Sequence, residues 1–136
     1  MNYQKSIELS KTFLHLLEEG LVIVNPKDDI VLEIEDVQEV DQLIYDQLVL
    51  GKPFVVIIDA RDINSSVSRE ARDFLSKNEL VLPIRKAQAI IVNSLHTKLL
   101  ANFYMKFNKP INPIKVFSNF DDAYQWVKPI RDQWYK

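Results

Sequence analysis

FVVIIDARDINSSVSREARDFL, Phe54 to Leu75, is the stretch that decides the fold. It runs five apolar residues into an aspartate, scatters serines, and ends with Ala71, Phe74 and Leu75 at the spacing of one helix face. A continuous apolar run such as FVVII is the pattern of a strand covered on both faces, and such strands are usually parallel and central. A serine just ahead of the periodic segment satisfies an orphan backbone N–H and contributes about 1 kcal/mol as a helix cap. The junction is therefore a strand-to-helix corner first, and any chemistry there has to be argued separately.

The same logic extends in both directions. Downstream, AQAIIVN (87–93) is a second buried strand, Ser94 caps a helix over LHTKLLANFYMKFN, and PIKVF (113–117) is a short strand. Asn119 with Asp122 opens a last helix that Pro129 should end or kink. Upstream, SKTFLHLLEE and LVIVNPK flank Gly20 as a hairpin of two antiparallel strands. IVLEI (30–34) reads as a short extended piece. Val37, Val40, Ile44 and Leu48 then lay one apolar stripe along a helix, with Asp36 and Glu39 as a capping box and Gly51 as the stop. Strands alternating with helices predict an α/β fold: a mixed sheet with an N-terminal β-hairpin, parallel central strands, about four helices and right-handed crossovers.

The 136 residues, 47% hydrophobic and 26% charged, suit one domain over 1–136 with no linker, repeat or low-complexity tail. There is no cysteine, which removes disulfides, thiolate nucleophiles and sulfur-ligated zinc sites. No leader pattern and no apolar run near the roughly 20 residues of a membrane span are present, so a soluble, cytoplasmic protein is expected. The net charge of −2 conceals an asymmetry: residues 1–80 carry 8 Lys+Arg against 16 Asp+Glu, residues 81–136 carry 9 against 3. Either the two halves interleave their charges in one domain, or the surface is bipolar and favours association with itself or a charged partner. Singly spaced basic residues without a recognition motif argue against nucleic acid.

The order of hairpin, helix, FVVIIDAR, serine-led helix, AQAIIVNS, long helix and PIKVFSNFDDAYQWV resembles the SpoIIAA-like, or STAS-like, domain family of bacteria, the fold of anti-sigma factor antagonists. Lys115, Phe117, Asn119, Asp121, Asp122, Ala123 and Trp126 carry the likeness at the final strand and helix. The resemblance implies a mixed sheet packed with helices and no enzymatic activity. It also implies a phosphate-accepting serine at the helix after the FVVII strand, where Ser65, Ser66 and Ser68 stand. The family's Asp-Ser-Ser-Gly turn is replaced here by Asn64-Ser65-Ser66-Val67, which lacks the aspartate and the glycine.

Each candidate site has a bland and a sharp reading. Ser65, Ser66 and Ser68 are helix-capping or phospho-accepting residues, with Arg61 and Arg69 as anion contacts. Asp59 and Asp62 are turn-forming or paired carboxylates, because Asn93-Ser94 and Phe117-Ser118 at the other strand ends add no acids for a metal. Ser94 and His96 stand too close along a helix start to act as nucleophile and base, and His15 is the only other imidazole. Two isolated glycines build no phosphate loop. No catalytic residue, metal or cofactor is expected.

The helix at 95–108 is unusual, since Lys98, Asn102 and Lys106 leave it only a narrow polar stripe. Leu99, Leu100, Phe103, Tyr104, Met105 and Phe107 make an apolar face wider than a sheet normally covers. Three covers suit it: a C-terminal lid of Ile130, Trp134 and Tyr135, a protein partner or second copy in a homodimer, or a small apolar ligand between helix and sheet. The expectation is a non-catalytic protein-interaction or regulatory module that self-associates, with an apolar-ligand or lipid carrier and a serine-phosphorylated switch as its rivals.

Overall fold

The computed structural model describes residues 1–108 and 111–135. Its first elements are β1 (Lys5–Glu8), β2 (Thr12–Glu18), β3 (Leu21–Pro26), β4 (Val31–Leu32) and α1 (Ile34–Leu43), the last running into a π-helical turn at Ile44–Val49. Then come β5 (Phe54–Asp59), β6 (Ser66–Val67), α2 (Arg69–Lys77), β7 (Arg85–Ile91), α3 (Leu95–Asn108), β8 (Ile114–Phe117) and α4 (Phe120–Asp132). Six strands form one mixed sheet in the order β1-β2-β3-β5-β7-β8, and β4 and β6 pair as a small parallel ribbon beside it.

The apolar runs landed where their composition sends them. Leu21 pairs with Val55 and Ile57 with Ala89, so β3, β5 and β7 run parallel through the middle of the sheet. The hairpin of β2 and β3 adds an antiparallel half, with Leu14 opposite Val24. β1 was not anticipated: its KSIE holds a single apolar residue, so periodicity offers no signal. Pairing with β2 and a 3.1 Å bond from Lys5 Nζ to the Gln47 side chain hold it in place.

Alternation along each strand divides the core. One face of the sheet sends Val22, Val24, Phe54 and Val56 to meet Val40, Ile44 and Leu48 of α1 and its π turn. The other face sends Leu21, Ile23, Val55, Ile57 and Ala89 to meet Ala123 and Val127 of α4. Ala71 of α2 packs with Leu32 and Val37, and Phe74 and Leu75 join that cluster.

Three sequence expectations are corrected. The start of α1 is one turn earlier than the Asp36–Glu39 box, because Asp36 turns back onto the Glu33 backbone N–H at 2.8 Å and is anchored by Lys11 Nζ at 2.7 Å. Pro129 does not end α4, which continues to Asp132. Burial of Val127 and Arg131 on the sheet side, with Arg131 reaching the Glu19 carbonyl at 2.6 Å, holds the last turn despite the missing N–H. The C-terminal residues are no lid for α3, since α4 lies across the opposite face of the sheet. Ile130 joins the α4 core, Tyr135 donates its hydroxyl to the Pro53 carbonyl, and Trp134 is 49% exposed with Lys86 over its ring.

Candidate functional site

The three serines of the elbow have three different surroundings. Ser68 is the N-cap of α2, its Oγ accepting from the Ala71 N–H at 3.1 Å. Ser65 is committed twice: its hydroxyl donates to the Lys27 carbonyl at 2.6 Å and accepts from the Ile30 N–H at 3.2 Å, pinning the elbow to the chain after β3. Ser66 sits exposed in β6, with its hydroxyl free of any partner among the described residues.

Arg61 is occupied by Asp59. Its Nε and a terminal nitrogen reach the two carboxylate oxygens at 2.9 and 2.7 Å, the forked geometry that suits guanidinium and carboxylate. Burial pushes the Asp59 carboxyl up, but the bonds from Arg61 outweigh it and hold the group below the usual carboxylate range. Asp62, with φ +60, is locked to Asn93 by bonds of 3.0 and 2.7 Å, tying together the loops after β5 and β7. Arg69 is exposed on the outer side of α2. Among the described residues no three acids or histidines come together as a metal site.

Ser94 begins α3, accepting from the Thr97 N–H at 3.2 Å. Along the helix Leu95 and Leu99 stand out in solvent at 73% and 59% exposure, one turn apart. Met105 is half-buried. The side chains of His96, Leu100, Phe103, Tyr104 and Phe107 lie outside the described residues.

Between α3 and the sheet the structure leaves a cavity of about 200 Å³. Its floor is the α1-side face of the sheet, where Ile58 of β5 and Gln88 and Ile90 of β7 project. Leu75 and Arg72 of α2 form one wall, Thr97 and Ala101 of α3 the roof, and the Ser65–Val67 segment the rim. Because the strands are parallel here, the cavity opens near their carboxyl ends, where α/β proteins commonly place ligands.

Besides the hydroxyls of Ser65, Ser66 and Thr97, Gln88 and Arg72 are polar in this largely aliphatic lining, and the sequence reading passed over both. Gln88 is 9% exposed, and its amide finds no partner among the described residues. Arg72 gives one bond, to the Val67 carbonyl at 2.9 Å, and meets no carboxylate among them. A signal for Gln88 was available, since it is the one polar residue inside the AQAIIV run, in a strand buried on both faces. Arg72 carried none, being one charge among several on α2.

Residues 15–131 match a family described as a domain of unknown function, DUF7793. Among curated proteins none matches. Of solved structures, the chain is similar to the crystal structure of an uncharacterized protein from the DUF3478 family with a SpoIIAA-like fold, from Shewanella loihica PV-4. The two share 18% identity and a TM-score of 0.57, with 90% of each chain covered. The SpoIIAA-like architecture that the sequence resembles is thus the fold of this chain. No helix among the described residues is long and apolar enough to cross a membrane.

Proposed function

We propose that this chain, which belongs to the DUF7793 family, is a non-catalytic regulatory module of STAS-like type that works by taking a small, largely apolar ligand beneath α3. The cavity of about 200 Å³ over Ile58 and Ile90 carries this reading. Drug-sized sites run from roughly 300 Å³ upward, so the occupant is a small molecule and not a whole lipid. The nearby acids favour binding over catalysis, since Asp59 and Asp62 are each tied to a neighbour instead of facing the cavity.

Native mass spectrometry of freshly purified protein, before and after incubation with 1-octanol, tests the reading. One bound apolar mass, or saturable 1:1 uptake of the alcohol with a raised melting temperature, is expected. A clean apo mass with no uptake overturns it.

A second reading rests on a separate observation: Leu95 and Leu99 are exposed one turn apart on a helix whose described charges, Lys98 and Lys106, are all positive. A second copy of the chain, with its acidic 1–80 half, is a fitting cover for that face, which makes the module self-associating. Light scattering across micromolar concentrations should show a dimer that the double change Leu95→Ser and Leu99→Ser dissociates. A strict monomer at every concentration removes this reading.

A further inference from the structure

We infer that the cavity beneath α3 is built for a small amphipathic carboxylate, with Arg72 holding the anion and Gln88 contributing a second polar contact. This rests on the ligand-binding reading above and adds the class of ligand.

Arg72 is the sole charged residue among those lining the cavity, and no carboxylate of the described residues answers it. A guanidinium against aliphatic walls is poorly hydrated on that side, and a ligand anion is the natural complement, because five donors in a rigid fork match a carboxylate two at a time. Its bond to the Val67 carbonyl at 2.9 Å fixes one arm of the fork and leaves donors unspent. Gln88, on the sheet floor, is nine-tenths buried and unpartnered among the described residues. Its amide nitrogen and oxygen are not among the side-chain atoms shut away from solvent without a partner, so they remain accessible to a polar group of a ligand in the cavity.

Of the three hydroxyls in the lining, Ser66 at the rim is free among the described residues and the other two are engaged. Ser65 is spent on Lys27 and Ile30, and Thr97 shares its hydroxyl with Ser94 at 2.7 Å. A phosphate monoester carries close to two negative charges, and the lining offers one cation to balance them. A single negative charge on an apolar body of roughly ten non-hydrogen atoms suits a cavity below drug-sized volume.

Calorimetric titration of the full chain with octanoate and with 1-octanol tests the assignment. Octanoate should bind at least about tenfold more tightly than the alcohol. Arg72→Met should erase that preference, and an unaltered circular dichroism spectrum and cooperative melt show that the variant is folded. Gln88→Leu should weaken octanoate several-fold. Equal affinities for acid and alcohol in the unaltered protein, or a preference that survives Arg72→Met, overturn the carboxylate assignment while the ligand-binding reading stands. Unchanged octanoate affinity in Gln88→Leu removes Gln88 from the site. No binding of either probe overturns both.

Discussion

Asn78 donates its side-chain amide to a carboxylate oxygen of Asp41 at 2.9 Å, joining the end of α2 to the buried side of α1. Asp41 is 3% exposed, an uncommon position for an acid. Burial raises its carboxyl above the usual range, and the Arg85 charge and the Asn78 bond only partly offset this.

The sign of the resulting pH dependence follows. A raised carboxyl makes the folded protein bind a proton more tightly than the unfolded chain, so this group favours folding most at low pH and less as pH rises through the raised value. Asp41→Asn keeps an acceptor for Asn78 and removes the charge. The variant is expected to be more stable than the parent at pH 7 and to lose that advantage below the ordinary aspartate range. Urea melts at pH 3 and pH 7 check it, and a variant less stable at pH 7 would contradict the burial argument.

Gly20 closes the β2–β3 hairpin at φ +75, and a Cβ placed there would run into the ring of Tyr135. Gly20→Ala therefore meets backbone strain and a clash together and should cost about 2 kcal/mol or more. Tyr135→Ala in the same chain relieves the clash but not the strain, so the double variant should lose less than the sum of the two single changes. Guanidinium unfolding of the four proteins measures the coupling.

The elbow serines should separate cleanly in stability. Ser68→Ala removes the cap bond to Ala71 and is expected to cost about 1 kcal/mol. Ser66→Ala removes a hydroxyl with no partner among the described residues and should change stability by less than about 0.5 kcal/mol. Thermal denaturation of the pair is sufficient, and equal losses would mean the cap is not what Ser68 supplies.

Arg131, 9% exposed, bonds the Glu19 carbonyl at 2.6 Å and Glu18 at 2.8 Å. Arg131→Met keeps the packing of the stem but strands that carbonyl. Glu18 retains the Tyr124 hydroxyl at 3.1 Å, so the loss should be about 2 kcal/mol and below the 3–5 kcal/mol of breaking a fully buried pair. Adding Tyr124→Phe should then cost more than it does in the parent chain, which a denaturant double-mutant cycle reads directly.

The centre of the sheet was legible because β5 and β7 are largely buried on both faces and so write apolar runs into the sequence, FVVII unbroken and AQAII broken only by Gln88. Caps at Ser68 and Asn119 were legible for a local reason, since each bond spans only three residues. The start of α1 was misplaced because a long-range partner, Lys11, fixes Asp36, and no local pattern reports that. Pro129 misled in the same way: the anchor that keeps α4 helical past it lies over a hundred positions earlier, at Glu18 and Glu19. A ligand between α3 and the sheet was one of the covers the sequence suggested, but the lining of the cavity was out of reach for a deeper reason. A void is defined by what several distant elements fail to fill, and Arg72 and Gln88 acquire meaning only once β7 and α2 are seen to face the same space.

The main sheet is bounded by two strands of four residues, β1 and β8. Lys5 and Glu8 are exposed on the first and Lys115 on the last. Brevity and charge at a margin discourage a neighbouring chain from adding a strand there, because a recruited segment would find few amides to pair with and lysines to desolvate. Growth of this protein into fibrils through its borders is thereby disfavoured, and contacts with other molecules are steered toward the helical layers.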